Sequence, residues 1–443
     1  MHFPKGVYTD VRIERRFQSR VKVISGKVED VLERTSFGAF IRMYDGRKWY
    51  YSATTDFEKI DDEIEKLYKQ ARPIDNIEED EVVRLYEVSK GKFINFEEKS
   101  VEKVSLAEKK DLIMSYSDFL NLPEIKLWTG YYVDSRTVKE FYSSLGSEIF
   151  FDNQRTGIHF SFSLAEGDKR FSESFERSHE SFDGLDKYGQ ELKERIEESV
   201  VFLRKSTPVK PGRYPAILSP LATGIFAHES FGHKSEADFM IGDETAMREW
   251  ALGKKVGSEI LSIVDDGNVK GSGYTPFDDE GTKAKKTYLI KEGVLTGRLH
   301  SVYTAAKLKE SPTGNARAVS FTFEPIVRMT TTYIEPGNLT FDELISDIKE
   351  GIFIKTVIHG SGLSIFTIAP RMAYMIRNGK IAEPVQVSVV TGNVFKTLSM
   401  IEGLTKEWEI FSFTLGGCGK MEQSPLPVGF GGPYMRVREL EVG

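Results

Sequence analysis

The chain has 443 residues, more than one ordinary hydrophobic core organises, so we expect two or three domains. Hydrophobic residues make up 40%, charged residues 29% and aromatic residues 12%, values typical of a globular, β-rich protein. The formal net charge of −7 and the lack of a basic stripe exclude nucleic-acid binders that rely on a positive surface.

The N-terminal half of the sequence alternates between strands and helices. Strand-like stretches rich in β-branched and aromatic residues come first, and an amphipathic helix follows them. The first such set comprises predicted strands at 11–17, 21–31 and 38–53, with a hairpin turn at Asp45-Gly46, and a helix that Pro73 ends.

Two elements come next. They are a predicted strand at 82–88 and a helix that begins at a capping box of Ser105 and Glu108 and ends at about residue 120. A second set of strands and a helix then follows. Its predicted strands are 126–134, 138–142, 148–152 and 157–164, and its helix carries Tyr188, Leu192, Ile196, Val200 and Leu203 on one face. The recurrence suggests a duplicated strands-then-helix unit, although the two copies share little sequence and chance is the alternative.

A segment rich in proline and glycine, at 209–215, separates the two halves. We predict an N-terminal α+β domain over residues 1–207 and a C-terminal, largely antiparallel β domain over residues 208–443. The second part has one helix near His228, another over 341–349, and hairpin turns at Glu292-Gly293 and Asn378-Gly379. The predicted fold class is therefore α+β.

The cysteine content and the N-terminus indicate a reducing compartment. Cys418 is the only cysteine, so no intramolecular disulfide can form. The N-terminus lacks the apolar run of a signal peptide, and no stretch approaches ~18 continuous apolar residues. We therefore predict a cytoplasmic protein that binds neither membrane nor nucleic acid.

The strongest chemical motif is the pair of histidines His228 and His233, five positions apart. Zinc peptidase helices space two ligand histidines by four residues, which places both on one face. On an ideal helix a spacing of five places them roughly 140° apart, too far to hold one ion. A π-bulge adds one residue to the turn and restores the alignment, and Gly232 eases local unwinding. We therefore predict a distorted helix here.

A third ligand for such a site is offered by Cys418, which has glycines on both sides. The neighbouring Lys420 would favour its thiolate form. Two imidazoles and one thiolate make a three-ligand zinc site with an open position, and Glu229 would be the base that deprotonates water. The same residues also fit a surface His–Glu pair and a buried structural cysteine, and the spacing alone leaves both interpretations open.

Five segments, in chain order, resemble the TldD/PmbA family of proteases. They are the HExxxH signature at 227–239, an aromatic-Asp-Asp-Glu-Gly-Thr segment at 273–282, a PTGN-x-R loop at 312–317, a hairpin at 374–381 and the cysteine segment at 416–420. The resemblance covers most of residues 208–443 and is looser before them, where it is best at 37–55. Around 360–366 the chain departs from the Asp-Pro-x-Thr-Gly motif that active members more often carry.

The resemblance implies a zinc peptidase. In the family the two motif histidines and the cysteine hold zinc and the motif glutamate is the base, which here are His228, His233, Cys418 and Glu229. Because all four are present, the chain resembles the active subunits rather than the paralogues that lack them. Family members are dimers, so a homodimer or a heterodimer with a paralogue is implied, enclosing a chamber where unfolded peptides pair along strand edges.

Other functions and residues remain candidates. A non-catalytic substrate-binding or scaffold subunit of a heterodimeric protease is the first alternative, and a zinc amidase or thiolate redox enzyme is the second. Asp238 is an outer-shell partner of the metal site or a surface charge, and His359 is a candidate for an outer-shell or substrate contact. The acidic residues at 278–280 face the chamber or form an acidic turn.

Overall fold

The computed structural model describes residues 1–362 and 364–443. Leu363, in the segment that departs from the family motif, lies outside the described residues. Within these two ranges, no helix is both long and apolar enough to cross a membrane.

The N-terminal part is one seven-stranded sheet covered by helices. Its strands are β1 (Tyr8–Ile24), β2 (Lys27–Tyr44), β3 (Trp49–Thr54), β4 (Lys90–Phe93), β5 (Ile125–Ser143), β6 (Glu148–Glu166) and β7 (Lys169–His179). Its helices are α1 (Ile60–Tyr68), α2 (Leu106–Ser115) and α3 (Gly189–Lys205). The strand order is β3-β2-β1-β5-β6-β4, and β7 also pairs with β6. These pairs are antiparallel except for β4 with β6, which is parallel.

Two predicted strands of this part are wrong. Ser25 and Gly26 both have positive φ angles, 43° and 81°, as in a type I′ turn, so the predicted strand at 21–31 is divided between β1 and β2. The predicted strand at 82–88 is instead a 3₁₀ turn. The Asp80 carboxylate accepts hydrogen bonds from the N–H groups of Val82 and Val83, at 2.8 and 3.2 Å, which stabilises that turn.

The order of strands followed by a helix does occur twice, as β1–β3 with α1 and β5–β7 with α3. The four predicted strands between 126 and 164 are the two long strands β5 and β6, and β7 was not predicted. The predicted capping box of Ser105 and Glu108 is confirmed at the start of α2. Both sets lie in the same sheet, and their helices bury an apolar face against it.

The C-terminal part is a twelve-stranded sheet that encloses one helix. Its strands are β8 (Thr207–Pro208), β9 (Gly212–Leu218), β10 (Ile263–Asp266), β11 (Lys286–Lys291), β12 (Val294–Leu295), β15 (Thr331–Ile334), β16 (Glu350–Gly362), β17 (Ile365–Arg377), β18 (Lys380–Gln386), β19 (Val390–Asn393), β20 (Ile401–Ser412) and β23 (Gly429–Val442). Two small hairpins pair β13 (Ala316–Arg317) with β14 (Ile326–Val327) and β21 (Cys418–Lys420) with β22 (Gln423–Leu426). The helices are α4 (Pro220–Ala227), α5 (Glu244–Glu249), α6 (Val302–Leu308), α7 (Phe341–Ile345) and α8 (Val394–Ser399).

The large sheet is mostly antiparallel, as predicted, and the α+β fold class is confirmed. Its order is β12-β11-β10-β15-β23-β9-β16-β17-β18-β8, with β19 and β20 paired to β23. The pairs β15–β23, β9–β16 and β8–β18 are parallel. Both predicted hairpin turns are present, because Glu292-Gly293 and Asn378-Gly379 have positive φ at both positions.

Buried ion pairs join the N-terminal sheet to the acidic segment 278–280, a turn of the C-terminal part. Glu280 lies 2.7 Å from Nη1 of Arg42 on β2. Asp279 lies 2.5 Å from Nζ of Lys139 on β5 and 3.7 Å from Nη1 of Arg12 on β1. Burial acts to raise the pKa of Asp279, but the two cations outweigh it and hold the pKa below its usual range. Of the two interpretations of this segment, the acidic turn is therefore the one observed.

Candidate metal centre

Helix α4 carries the first histidine into the core of the large sheet. The Ser219 side chain accepts a hydrogen bond from the N–H of Ala222, and Pro220 occupies the first turn. Nearly every residue of the helix is buried, which suits its apolar sequence. A Cβ atom at Gly224 would lie 2.6 Å from Cα of Gly431 on β23, so the helix touches the strand backbone to backbone.

The chain continues from α4 into a π turn at His228–Gly232. The N–H of His233 donates to the carbonyl of His228, five residues earlier, so the predicted distortion is confirmed. The two imidazole rings lie 5.1 Å apart between centroids, with planes at 80°. Gly232 has helical φ, but a Cβ atom there would lie 2.0 Å from Sδ of Met329, so close packing is what requires glycine.

Cys418 lies at the start of β21, opposite the two histidines. The guanidinium of Arg328 donates to the carbonyls of Cys418, at 2.7 Å, and Gln423, at 3.0 Å, which fixes the β21–β22 hairpin. Sγ of Cys418 is 3.3 Å from Nε2 of His233. One ligand atom from each of His228, His233 and Cys418 lies within 4.8 Å of the other two. Atoms this close can share one ion of zinc size.

The donor set and its electrostatics fit zinc. Nδ1 of His228 is buried and has no hydrogen-bonding partner among the described residues. Burial acts to raise the pKa of the Cys418 thiol, but hydrogen bonds to His228 and His233 and their charges lower it to about 5. The cysteine is therefore a thiolate at neutral pH, which is the form that binds zinc.

Glu236 orients the second histidine. Its Oε2 lies 3.3 Å from Nδ1 of His233, and its side chain is fully buried. Nζ of Lys420 lies 3.1 Å from the same carboxylate and 2.7 Å from both oxygens of Asp238. A carboxylate on the far nitrogen of a ligand histidine fixes the ring and its tautomer. Burial acts to lower the pKa of His233, but Cys418 and Glu236 outweigh it and raise the pKa to about 10.

This role of Glu236 was not predicted from the sequence. Asp238 was a candidate partner of the metal site and Lys420 a neighbour of the thiol, whereas these two side chains pair with each other. The available signal was the spacing, because Glu236 follows His233 by three residues and a turn brings such positions together.

The motif glutamate, Glu229, lines a cavity of about 830 Å³ between the two sheets. Strand β7 and helix α3 form one wall of this cavity, and α4, β16 and β20 form the other. A Cβ atom at Gly360 on β16 would lie 2.5 Å from Cγ2 of Ile225 and 3.4 Å from Cγ of Glu229. The glycine thus allows β16 to run close beside the glutamate. His359, next to it, is exposed and lines the same cavity.

One edge of β16, beside Glu229, has no paired strand at residues 357–360, which line the cavity, among the described residues. Strand β9 pairs with β16 only at Ile352, Phe353 and Ile354, among the described residues, and β17 occupies the opposite edge. Residues 357–360 therefore present backbone N–H and carbonyl groups toward the cavity. Such an edge can accept a further strand.

Comparison with known families gives two matches. Residues 211–443 match the model of the PmbA/TldA metallopeptidase C-terminal domain. Residues 9–72 match the model of domain 1 of the same metallopeptidases.

Comparison with individual proteins finds relatives along nearly the whole chain. A zinc metalloprotease TldD homolog of Saccharolobus solfataricus is 33% identical over 452 residues, covering 98% of this chain and 96% of the relative. A metalloprotease of Methanothermobacter thermautotrophicus is 32% identical over 446 residues, covering 98% of this chain and 95% of the relative.

Solved structures share the fold at low sequence identity. A protein of Thermotoga maritima described as a modulator of a DNA gyrase has a TM-score of 0.80 at 19% identity, covering 99% of this chain and 96% of that one. TldE from Thermococcus kodakarensis has a TM-score of 0.76 at 17% identity, covering 98% of this chain and 96% of that one.

Proposed function

The chain belongs to the PmbA/TldD metallopeptidase family, and on that premise we propose that it hydrolyses unfolded peptides at a zinc ion held by His228, His233 and Cys418. Its enzyme class, metallopeptidase, follows from the membership. The observation that carries the proposal is the π turn, because it compensates for the five-residue spacing and brings both imidazoles to the thiolate. The mixed nitrogen and sulfur donors favour zinc over harder cations.

Glu229 is the proposed general base. A bound zinc ion lowers the pKa of a water ligand and polarises a carbonyl oxygen. Glu229 lies on the cavity side of the π turn, next to His228, where its carboxylate can accept a proton from the attacking water. The same carboxyl group then donates that proton to the leaving amine, so Glu229 ends the reaction ionised, as it began.

The proposed substrate is a peptide in extended conformation. The open edge of β16 supports this choice, since residues 357–360 can pair with a substrate backbone beside Glu229. Backbone pairing is independent of side chains and so tolerates many sequences. A cavity between two sheets also excludes folded proteins while it admits an unfolded segment.

The assembly and the location are part of the same proposal. We propose a dimer, of two copies or with a paralogous subunit, that encloses the cavity as a chamber in the cytoplasm. We also propose that the chain divides into domains 1–207 and 208–443. This division is supported by the strands of the smaller sheet, which end at His179, and by those of the larger sheet, which begin at Thr207.

The experiment pairs zinc content with peptide cleavage in four proteins. Wild type, Glu229→Gln, Cys418→Ala and the control Glu422→Gln are purified, and zinc per chain is measured. Cleavage of an unstructured peptide mixture is followed by mass spectrometry, and molar mass in solution by light scattering. Glu422 is exposed on the β21–β22 turn, so its variant matches the charge change of Glu229→Gln away from the cavity.

We expect wild type and Glu422→Gln to hold about one zinc ion and to cleave the peptides. Glu229→Gln should hold zinc and cleave nothing, and Cys418→Ala should lose zinc. Wild type that holds zinc and cleaves nothing would favour the non-catalytic subunit instead. Zinc that is absent even after reconstitution would overturn the ligand set.

A further inference from the structure

A second cavity, of about 300 Å³, lies between the two sheets and is lined by none of the three metal ligands or Glu229. Strands β1, β2, β5 and β6 form one wall, and segments 271–279, 317–319 and 425–427 form the other. Its lining is rich in cations, which are Arg16, Arg34, Lys139, Arg155 and Arg317. Two carboxyl groups face them, those of Asp278 and Asp279.

Two of these cations are neutralised within the fold. Nζ of Lys139 lies 2.5 Å from Asp279, in the ion pair that joins the N-terminal sheet to the acidic turn. Nη2 of Arg16 lies 2.8 Å from Glu14 on the same strand. These two side chains therefore contribute little free positive charge to the cavity.

Two other cations of the cavity, Arg317 and Arg34, hydrogen-bond only to neutral groups among the described residues. Arg317 donates to the main-chain carbonyls of Met329, at 2.6 Å, and Pro427, at 2.9 Å. Arg34 is exposed and donates to the side-chain oxygen of Gln18, so its charge is also hydrated. Carbonyl oxygens satisfy N–H groups without supplying a counter-charge. Burial and then the charge of Arg328 lower the pKa of Arg317 to about 10, even though Asp279 and Asp265 act in the opposite direction.

Arg155 on β6 has no hydrogen-bond or ion-pair partner for its buried Nη1 among the described residues. Oδ1 of its neighbour Asn153 is also buried without a partner. Burial, and then the charges of Arg16 and Arg317, lower the pKa of Arg155 to about 10. Arg155 as a whole is half-buried, but a buried, unpaired guanidinium nitrogen among like charges is costly, and in folded proteins such groups normally have an anionic partner.

We propose that this cavity binds a phosphate dianion, either free or on a small phosphate ester, through Arg155, Arg317 and Arg34. Three guanidinium groups without a carboxylate partner match a dianion better than a monoanion. The planar guanidinium fork donates two parallel hydrogen bonds to phosphate oxygens. The anion would bridge β6 of the N-terminal sheet and the small β13–β14 hairpin of the C-terminal part. The site does not depend on the metal centre.

The test measures the melting temperature with and without phosphate at constant ionic strength. Inorganic phosphate, glycerol phosphate and acetate are compared in chloride buffer, for wild type, Arg155→Gln, Arg155→Lys and Arg170→Gln. Arg170 is the matched control, because it is exposed and donates only to main-chain carbonyls. Arg155→Gln leaves the metal ligands intact, so phosphate that binds at the metal would act equally on it.

At phosphate 100-fold above its Kd, we expect the Tm of wild type and Arg170→Gln to rise by about 3 °C, and acetate to have no effect. Arg155→Gln should show no rise and Arg155→Lys a smaller one. If glycerol phosphate acts as strongly as phosphate, the site takes esters, and if it does not, the site takes the free ion.

In phosphate-free chloride, Arg155→Gln should melt no lower than wild type, because it removes an unpaired buried charge. An equal rise in Arg155→Gln, or none in wild type, overturns the proposal. So does a large fall in the Tm of Arg155→Gln without phosphate, which would show that Arg155 has a partner within the fold.

Discussion

Above pH 8, beyond the ordinary range of an imidazole, zinc affinity should depend on pH through one proton, that of His233. The pKa of this imidazole is raised to about 10, so in the metal-free protein the ring is protonated at every pH well below that value. A metal binds only the neutral ring, and binding therefore expels the proton. The pKa of Cys418 is lowered to about 5, so the thiol is already ionised above pH 6 and contributes no second proton.

The size of the effect follows from these two values. Between pH 8 and pH 9 the zinc affinity should rise about tenfold, since the proton of His233 is released on binding. At pH 7 the proton on His233 should weaken zinc binding about 1,000-fold relative to the fully deprotonated site, or by about 4 kcal/mol. A competition titration against a chelator of known affinity gives the slope. Calorimetry in two buffers of different ionisation enthalpy counts the protons.

Variants of the two carboxylates near Lys420, Glu236 and Asp238, show which of them raises the pKa of His233. Glu236→Gln removes the partner of His233, so the pKa of the ring falls and the affinity reaches its upper limit at lower pH. That limit should be about 10- to 100-fold weaker, because the ring is less well oriented. Asp238→Asn removes only the other partner of Lys420 and should keep the wild-type slope. A flat affinity from pH 8 to pH 9 with no proton release would refute the reasoning.

Three further substitutions test the elements around the site. Gly224→Ala should lower the free energy of unfolding by about 1–3 kcal/mol through overpacking against the backbone of Gly431, an effect offset by about 1 kcal/mol of helix propensity. It should also weaken zinc binding. A variant more stable to urea than wild type would contradict this prediction. Glu229→Gln should keep its zinc and lose about 10²- to 10⁴-fold in kcat/KM for a fluorogenic peptide, and a smaller loss would remove its role as the base. Gly360→Ala should reduce the same kcat/KM with zinc content unchanged, because its Cβ would contact Ile225 and Glu229; full activity would show that β16 can move away.

The sequence was informative where one turn of chain decides the geometry. The five-residue spacing of His228 and His233 predicts the π turn, since a regular helix cannot align them. The dipeptides with glycine at 292–293 and 378–379 predict their hairpins. Ser25-Gly26 was missed because serine seldom adopts positive φ, so the dipeptide resembled part of a strand.

Contacts between distant segments were harder to predict. Cys418 lies 185 positions after His233. The glycines on both sides of it suggested a metal ligand, but they do not show where its side chain points. The pairing of Lys420 with Asp238, rather than with the thiol, is decided by how the β21–β22 hairpin packs on the turn after His233. The burial of the acidic turn depends on cations of another sheet, which no local pattern reveals.

The ion pairs at 278–280 also limit how the enzyme can select what it cleaves. Separating the N-terminal sheet from this turn would break both buried ion pairs and the hydrogen bonds that hold them in place. A hinge that opens and closes around the substrate is therefore disfavoured in this fold. In the proposed peptidase, the way in would then keep a fixed width, and the thickness of a polypeptide, more than its sequence, would decide whether it reaches Glu229.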